Sequence, residues 1–258
     1  MPKPAFLACA RFALLLALAT TPGWAAERVV SLNLCSDQML VLLAPKQVAG
    51  LSPLSRDPAL SFVAAEAAHL PLVRPSAEAV LRLHPDLVLA GTYGAQTTLA
   101  LLTQEGVPVW RLDMPQDFPA IRQQTADLAA RLGVPARGAA LIAAMDATLR
   151  AVVHPSHPIT AVAWEPRGYT AGPGTLMHAV LRAAGLRDSG DGRRLGLEML
   201  LRHPPGLLVV PQLPEYPSLA TNLLDNPAVA GIPRRALPMP LTICAGPFTA
   251  RAVALLAR

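Results

Sequence analysis

A helical segment spanning residues 117–153 separates two stretches in which strand and helix signals alternate. Its apolar residues recur at intervals of three and four, and it contains no run of β-branched residues. Gly133 and Pro135 divide it into two helices, because glycine is common just after a helix and proline in its first turn. The second helix, 135–153, would be roughly 28 Å long at 1.5 Å per residue. The sequence therefore predicts two lobes joined by one helical strut.

Both flanking stretches read as parallel strand–helix–strand units. Before the segment, strands are predicted at 28–32, 48–51, 86–90 and 107–112, and helices at 37–43, 76–83 and 95–105. After it, strands are predicted at 160–164, 207–210 and 237–241, and helices at 175–184, 197–201 and 247–257. The expected fold is α/β, with two similar βαβ lobes at 26–116 and 154–258, a single long joining helix, and a ligand cleft between the lobes.

The two lobes share a repeated segment. Residues 76–89 read SAEAVLRLHPDLVL, and residues 196–209 read GLEMLLRHPPGLLV. Each runs from a helix through an arginine and a His-Pro pair into a strand, with glutamate at the third position. Chance similarity between two apolar helix–strand units is the alternative, but the joint recurrence of the polar residues favours a true repeat.

The first 25 residues have the pattern of a secretory signal peptide. Lys3 and Arg11 supply positive charge, residues 12–19 form a short apolar core, and Gly23 and Ala25 supply small residues near a cleavage site. That core is too short to span a bilayer. A membrane anchor, or a lipoprotein site at Cys9, is the alternative. We expect cleavage near Ala25 and export of a soluble protein.

Composition and motifs exclude several classes of function. Hydrophobic residues make up 52% of the chain and charged residues 15%, which excludes disorder. The net charge is +5, but the arginines are scattered and aromatic residues are few, so a nucleic-acid partner is not expected. No catalytic motif is present. The histidines do not share a helical face, and no metal site is predicted.

Ligands of open α/β sheets bind at the carboxyl ends of the strands. The loops predicted there carry aromatic residues for flat apolar contact and arginines for anionic groups. For each residue singly, a solvated loop is the alternative, and for Trp164 a place in the core. The candidate ligand-binding residues are Asn33, Cys35, Arg56, Tyr93, Trp164, Arg167, Tyr169, Arg193, Arg194 and Cys244.

Two cysteines remain once the leader is removed, Cys35 and Cys244. An even pair in an oxidising compartment permits one disulfide. Two buried free thiols are the alternative, and the spacing alone does not decide between them.

Short motifs in a fixed order give the chain a family resemblance. They are RVVSLN at 28–33, AEAV at 77–80, PDLVL at 85–89, YTAG at 169–172, LEML at 197–200, and residues 241–247 before the last helix. Each motif is loose alone, but their order around a helical strut is specific. In these features the chain resembles the class III periplasmic binding proteins, the substrate-binding components of ABC importers for cobalamin, ferric siderophores or haem.

The resemblance implies a ligand held in a shallow cleft between two lobes that close little. It implies a periplasmic monomer that delivers a metal chelate to the permease dimer of an ABC importer, without a cofactor of its own and without enzymatic activity. Glu78 and Glu198 match the exposed glutamates, one per lobe, that meet arginines of the permease in this family. A capping role for Glu78, with Ser76, is the alternative.

Two departures from better-known members bear on the ligand. Arg193 and Arg194 stand where cobalamin binders have tryptophan, which favours an anionic chelate such as a ferric siderophore or haem. Cys35 and Cys244 fall in loops that would oppose one another across the cleft, as a disulfide clamp or as a soft metal ligand. The alternative functions are an exported enzyme with a two-lobed, nitrogenase-like α/β fold using Cys35 or a cleft histidine, and a receptor that senses its ligand.

Overall fold

The protein has two α/β lobes, one on each side of a central pair of helices. The computed structural model describes residues 25–212, 222–223 and 226–257, so the predicted signal peptide lies outside the described residues except for Ala25. The first lobe contains β1 (Val29–Ser31), α1 (Leu34–Leu43), β2 (Val48–Gly50), α2 (Ala64–Ala67), α3 (Ala77–Leu81), β3 (Leu87–Gly91), α4 (Gln96–Gln104) and β4 (Val109–Leu112). The central helices are α5 (Phe118–Arg131) and α6 (Pro135–Arg150). The second lobe contains β5 (Thr160–Ala163), α7 (Leu176–Ala183), β6 (Arg187–Asp188), α8 (Leu197–Arg202), β7 (Leu207–Gln212), β8 (Arg234–Pro238) and α9 (Ala250–Leu256).

The two sheets have the same topology. Their strand orders are β2-β1-β3-β4 and β6-β5-β7-β8, and every neighbouring pair is parallel. The repeated segments found in the sequence form α3 with β3 and α8 with β7, so they occupy equivalent places. The prediction of an α/β fold with two similar βαβ lobes is confirmed, and the long joining helix that was predicted at 135–153 is α6, which ends at Arg150 and pairs with α5.

Alternate residues of the central strands pack on opposite faces of each sheet. In the first sheet, Leu87 and Leu89 join one buried cluster, while Val88 joins another. In the second sheet, Val162 packs in one cluster and Ala163 in the other. Parallel strands buried on both faces need continuous apolar runs, which explains why these strands were the clearest in the sequence.

The central helices are anchored at several points. The Asp117 carboxylate accepts the Ala120 N–H at 2.8 Å and caps α5. Gly133, with a φ of 71°, follows α5 and turns the chain into α6. The two helices pack so closely at Gly138 that a Cβ on this residue would overlap the Cβ of Ala129. Helix α6 then packs against α9 of the second lobe.

Strand β6 was not predicted, and several predicted element boundaries differ from the structure, among them those of the last strand and of α1. The last strand lies at Arg234–Pro238 instead of 237–241, and residues Met239–Leu241 form a 3-10 turn. Pro238 and Pro240 lack an N–H, so they cannot continue a strand ladder. Helix α1 begins at Leu34 instead of residue 37 and is capped by Asn33, whose side chain accepts the Ser36 N–H.

Across residues 25–212, 222–223 and 226–257, no helix combines the length and apolar character required to cross a bilayer.

Candidate functional site

Each sheet carries a cavity at the carboxyl ends of its strands. The first cavity, about 140 Å³, lies beside β1, β3 and β4 and also contacts Ala245 of the second lobe. The second cavity, about 170 Å³, lies beside β5, β7 and β8 and contacts Thr242 and Ile243. Because both reach the segment 242–245, we interpret them as the two walls of one cleft.

The two walls use equivalent positions of the repeat. Counting from the paired strand registers, the equivalent wall residues are Asn33 with Glu165, Gly91 with Pro211, Leu112 with Leu237, and Met114 with Met239. The cleft is thus lined by the same places in both lobes, but with different chemistry.

The first wall is organised by Asn33. Its side-chain oxygen accepts the Ser36 N–H at 2.8 Å, while its amide nitrogen packs so closely on Gly91 that a Cβ there would overlap it. Beside it, the side chains of Tyr93 (80% exposed) and Met114 (52% exposed) are open to solvent. Gln124 donates to the Asp113 backbone carbonyl at 2.8 Å and completes this wall. An exposed phenol, thioether and amide side chain are therefore available to a ligand.

A wider groove of about 460 Å³ continues from the first cavity along β4 and α5. It shares Asp113 and Met114 with that cavity and adds the carboxylates of Asp117 and Asp127. Arg111 also lines this groove, so the first-lobe side of the cleft carries three carboxylates and one guanidinium.

The second wall contains a carboxylate that sequence reasoning missed. Glu165 follows β5 directly and lies among Met177, Leu237 and Met239. Burial raises the pKa of Glu165. Within the described part of the chain its carboxylate has no hydrogen-bond partner, so it is available to a donor on a ligand. Its equivalence to Asn33 in the repeat was the signal that could have identified it.

Among the candidate ligand-binding residues, Asn33, Cys35 and Tyr93 all line the first cavity, and their contact with a ligand stays a prediction. The prediction for Trp164 is wrong for this structure, because its side chain is fully buried among Val162, Leu200 and Leu208. Its indole N–H donates to the Leu195 carbonyl at 3.2 Å. Val162 and Trp164 lie two residues apart and so point to the same buried face of the sheet, which explains the error.

The predicted arginines line neither of the two wall cavities. Arg56 donates to the carbonyls of Ala67 at 3.2 Å and Leu70 at 2.7 Å. It therefore holds the chain after α2, which corrects its expected place at the ligand.

The remaining arginines sit on the surface of the second lobe. Arg194 donates to the Arg167 carbonyl at 3.1 Å, and its guanidinium lies 5.8 Å from the ring centroid of Tyr169. Arg193 is exposed, 4.0 Å from the carboxylate of Asp191. These side chains form an exposed group on the second lobe, and their role in binding stays a prediction.

The two cysteines form a disulfide between the lobes, with their Cα atoms 5.2 Å apart. This decides among the alternatives that the sequence left open. A bridged Cys35 has no thiolate, so it cannot act as a nucleophile or a soft metal ligand in this state. Next to the bridge, Phe62 of the first lobe stacks on Phe248 of the second at 4.7 Å, and the Arg251 guanidinium lies 4.8 Å from the Phe62 ring.

Glu78 and Glu198 occupy equivalent exposed positions in the first turns of α3 and α8. Glu78 is 81% exposed and pairs with Arg82 at 2.6 Å. Ser76 caps α3 by accepting the Ala79 N–H, whereas the cap position of α8 is Gly196. Both carboxylates are open to a partner protein.

A buried carboxylate lies just behind the first wall. Asp37 is fully buried in α1, where it accepts the Ser52 N–H at 3.2 Å and also the Ser52 hydroxyl. Loss of hydration raises its pKa from 3.8 to about 7, and the hydrogen bonds from Ser31 and Ser52 offset part of that rise. The folded protein therefore holds a proton at Asp37 that the unfolded chain would release.

This gives a testable dependence of stability on pH. The pKa of Asp37 is higher in the folded state than in the unfolded chain. Proton binding at Asp37 therefore contributes its full amount to the free energy of unfolding below about pH 4, and this contribution is lost as the pH rises through about 7. The full pKa difference corresponds to about 4 kcal/mol. Asp37→Asn keeps an acceptor for Ser52 and removes the titration. We expect the unfolding free energy of the wild type, measured in urea, to fall relative to the variant between about pH 4 and pH 7. Parallel profiles would contradict this role for Asp37.

The comparison with known families points in one direction. A family model described as periplasmic binding protein matches residues 29–234. Among curated proteins, the chain is similar to a cobalamin-binding protein of Halobacterium salinarum, with 32% identity over 146 residues. That match covers 51% of this chain and 39% of the relative, about two fifths of its length.

Solved structures share the fold. The periplasmic heme-binding protein RhuT from Roseiflexus sp. RS-1, in apo form, has a TM-score of 0.69 and 24% identity, covering 90% of this chain and 98% of that one. The heme-binding protein HutB of Vibrio cholerae has a TM-score of 0.75 and 17% identity, covering 90% of this chain and 97% of that one. These matches establish a two-lobed binding-protein fold.

Proposed function

Because this chain belongs to the periplasmic binding protein family, we propose that it binds a metal chelate between its lobes and delivers it to an ABC importer. The observation that carries the proposal is the pair of wall cavities, which are built from equivalent positions at the carboxyl ends of both sheets and are each lined by a part of the segment 242–245. A bulky ligand can contact both walls at once, which suits a binding site at the carboxyl ends of two sheets.

The chemistry of the walls favours a chelate that carries hydrogen-bond donors. Asp113 and Glu165 place a carboxylate on each wall, and Asn33 and Gln124 add amide groups. The arginines predicted to pair with an anionic chelate lie outside both cavities. A corrinoid, whose periphery carries amide groups, satisfies these acceptors, whereas the two carboxylates of haem would meet like charges. The name of the relative from Halobacterium salinarum supports the same class.

Haem is the second candidate, and one observation favours it. The Tyr93 side chain is exposed at the first cavity, and a tyrosine can ligate haem iron. The names of the similar solved structures agree with that ligand.

A titration separates the two candidates. The purified mature protein would be titrated with cyanocobalamin by calorimetry and with haemin by absorption. We expect cyanocobalamin to bind at least about tenfold more tightly than haemin, a difference of about 1.4 kcal/mol. Tighter binding of haemin would overturn the corrinoid assignment, and binding of neither, with ferric siderophores also inert, would overturn the proposed function.

Glu165→Gln sharpens the test. The change keeps the size of the side chain and removes its charge, so a hydrogen bond from a corrinoid amide would weaken and the affinity would fall about tenfold. For haemin the expected change has the opposite sign, since a like charge is removed. Glu105→Gln, at an exposed residue that follows α4, is the matched control. Equal affinities of wild type and Glu165→Gln for both ligands would exclude Glu165 from the site.

Delivery needs a partner, and we infer that Glu78 and Glu198 contact the two halves of the permease dimer. Their exposure and their equivalence in the repeat suit two-point docking on a two-fold partner. The periplasm is the expected location, because a permease in the inner membrane is reached from there. The signal peptide at 1–25 remains a prediction, which N-terminal sequencing of the exported protein would test.

A further inference from the structure

The disulfide joins the lobes at a second place along the chain. Cys35 is in the first turn of α1, just after β1, and Cys244 lies between the Met239–Leu241 turn and α9. The two sheets are otherwise connected along the backbone through α5 and α6. Two connections at separate points restrict hinge motion that a single connection would allow.

The two sulfur atoms differ in their access to solvent. Cys244 is 1% exposed and packs in an apolar cluster with Leu241 and Phe248. Cys35 is only partly buried, and it lines the first cavity together with Asn33 and Ala245. A reductant that enters the cavity therefore meets the sulfur of Cys35 and not that of Cys244.

We propose that the Cys35–Cys244 disulfide is a redox-sensitive tie between the lobes, and that a ligand in the cleft shields it from reduction. The tie follows from the connectivity alone. The shielding rests on the proposed function, because it requires a ligand in the first cavity.

The reaction is an exchange with a dithiol, the class of reductant that the tie would meet in an exported protein's compartment. One thiolate of the dithiol attacks Sγ of Cys35, forms a mixed disulfide and displaces the Cys244 thiolate. The second thiol of the reductant, as thiolate, then attacks its own partner sulfur and releases the Cys35 thiolate. Two electrons pass from the dithiol to the cystine, and the two protons of the dithiol end on Cys35 and Cys244.

The coupling between ligand and tie is reciprocal. If the ligand binds the tied lobes more tightly than the released ones, the ligand disfavours reduction by the same factor. A reduced receptor would therefore hold its ligand more weakly, so that the redox state of the tie would set the loading of the protein.

The first experiment measures shielding. Oxidised protein is treated with dithiothreitol, quenched with iodoacetamide and weighed by mass spectrometry, with and without cyanocobalamin or haemin at concentrations that calorimetry or absorption shows to be saturating. We expect bound ligand to slow the appearance of thiols about tenfold. An unchanged rate with ligand bound would overturn the shielding and leave the proposed function intact. If neither compound binds, the measurement is made with a ferric siderophore, and if that is inert as well, the shielding falls together with the proposed function.

The second experiment needs no ligand and tests the tie. Cys244→Ala leaves the Cys35 thiol and Cys35→Ser leaves the Cys244 thiol, so the two variants control for each other. We expect the Cys35 thiol to react with a disulfide reagent about tenfold faster than the Cys244 thiol. Small-angle scattering should show a larger radius of gyration for reduced than for oxidised wild type. Equal thiol reactivity would overturn the access argument, and an unchanged radius would overturn the tie.

Discussion

Replacing Cys35 by serine together with Cys244 by alanine should lower the free energy of unfolding by about 3 to 5 kcal/mol. The bridge joins residues 209 positions apart, and its loss releases a loop of that length in the unfolded chain. The chain-entropy argument gives about 5 kcal/mol for such a loop, and measured effects are usually smaller. Alanine suits the buried, apolar surroundings of Cys244, so no unsatisfied hydroxyl is introduced there.

Urea unfolding followed by circular dichroism measures this change. The dependence of the free energy on urea should also become steeper, because an unfolded chain without the bridge exposes more surface. Reduced wild-type protein is the control and should match the double variant. Coincident curves for oxidised and reduced wild type would show that the bridge contributes nothing to stability.

Reversing both docking glutamates, Glu78→Arg with Glu198→Arg, should abolish uptake while leaving the ligand affinity unchanged. Two attractive charge contacts with permease arginines would become repulsive, and like charges at an interface oppose binding strongly. Neither residue lines either of the two wall cavities, so the cleft should be unaffected. Each single reversal should leave partial uptake, because the other lobe can still dock.

Uptake of labelled ligand into cells or proteoliposomes measures the effect, and calorimetry checks the affinity. Glu66→Arg with Glu105→Arg is the matched control, since both residues are exposed and the change in net charge is the same. Normal uptake by the Glu78 and Glu198 double variant would remove the docking proposal. An equal loss in the control would indicate an effect of total charge instead of a specific contact.

Trp164 shows that a position just after a strand is not enough to predict contact with a ligand. The residue follows a strand at the end of the sheet where ligands bind, and on that ground it was predicted to contact one. Its position two residues after Val162 carries it to the same buried face, where Leu208 and Leu200 cover it. The alternation along the strand was the stronger signal, because burying an indole removes more apolar surface from water than a solvated loop contact would.

Glu165 is the opposite case, a candidate site residue that the sequence alone does not identify. No motif marks it, and a single glutamate after a strand has many ordinary explanations. When the two lobes are aligned through their strand registers, Glu165 takes the position equivalent to Asn33. It lies on the wall of the second cavity. The internal repeat carried this information, but it becomes usable only when the register of both sheets is known.

The arginines show that the direction of a long side chain cannot be predicted from the neighbouring sequence alone. Arg56, Arg193 and Arg194 were grouped because their loops follow strands. In the structure Arg56 binds two carbonyls of its own lobe and Arg194 lies over Tyr169, so neither guanidinium lines a wall cavity. A long side chain reaches whichever partner the neighbouring backbone offers, and that backbone is not adjacent in sequence.

The amino-acid sequence by itself determined the two α/β lobes, their repeated helix–strand unit and the pair of helices between them. These features are recorded locally, in the spacing of apolar residues and in the placement of Gly133 and Pro135. The tertiary structure alone decided the pairing of Cys35 with Cys244, the burial of Trp164 and the place of Glu165 on the wall of the second cavity, without a hydrogen-bond partner among the described residues. Such outcomes depend on contacts between residues far apart along the chain, and periodicity within a single element does not encode them.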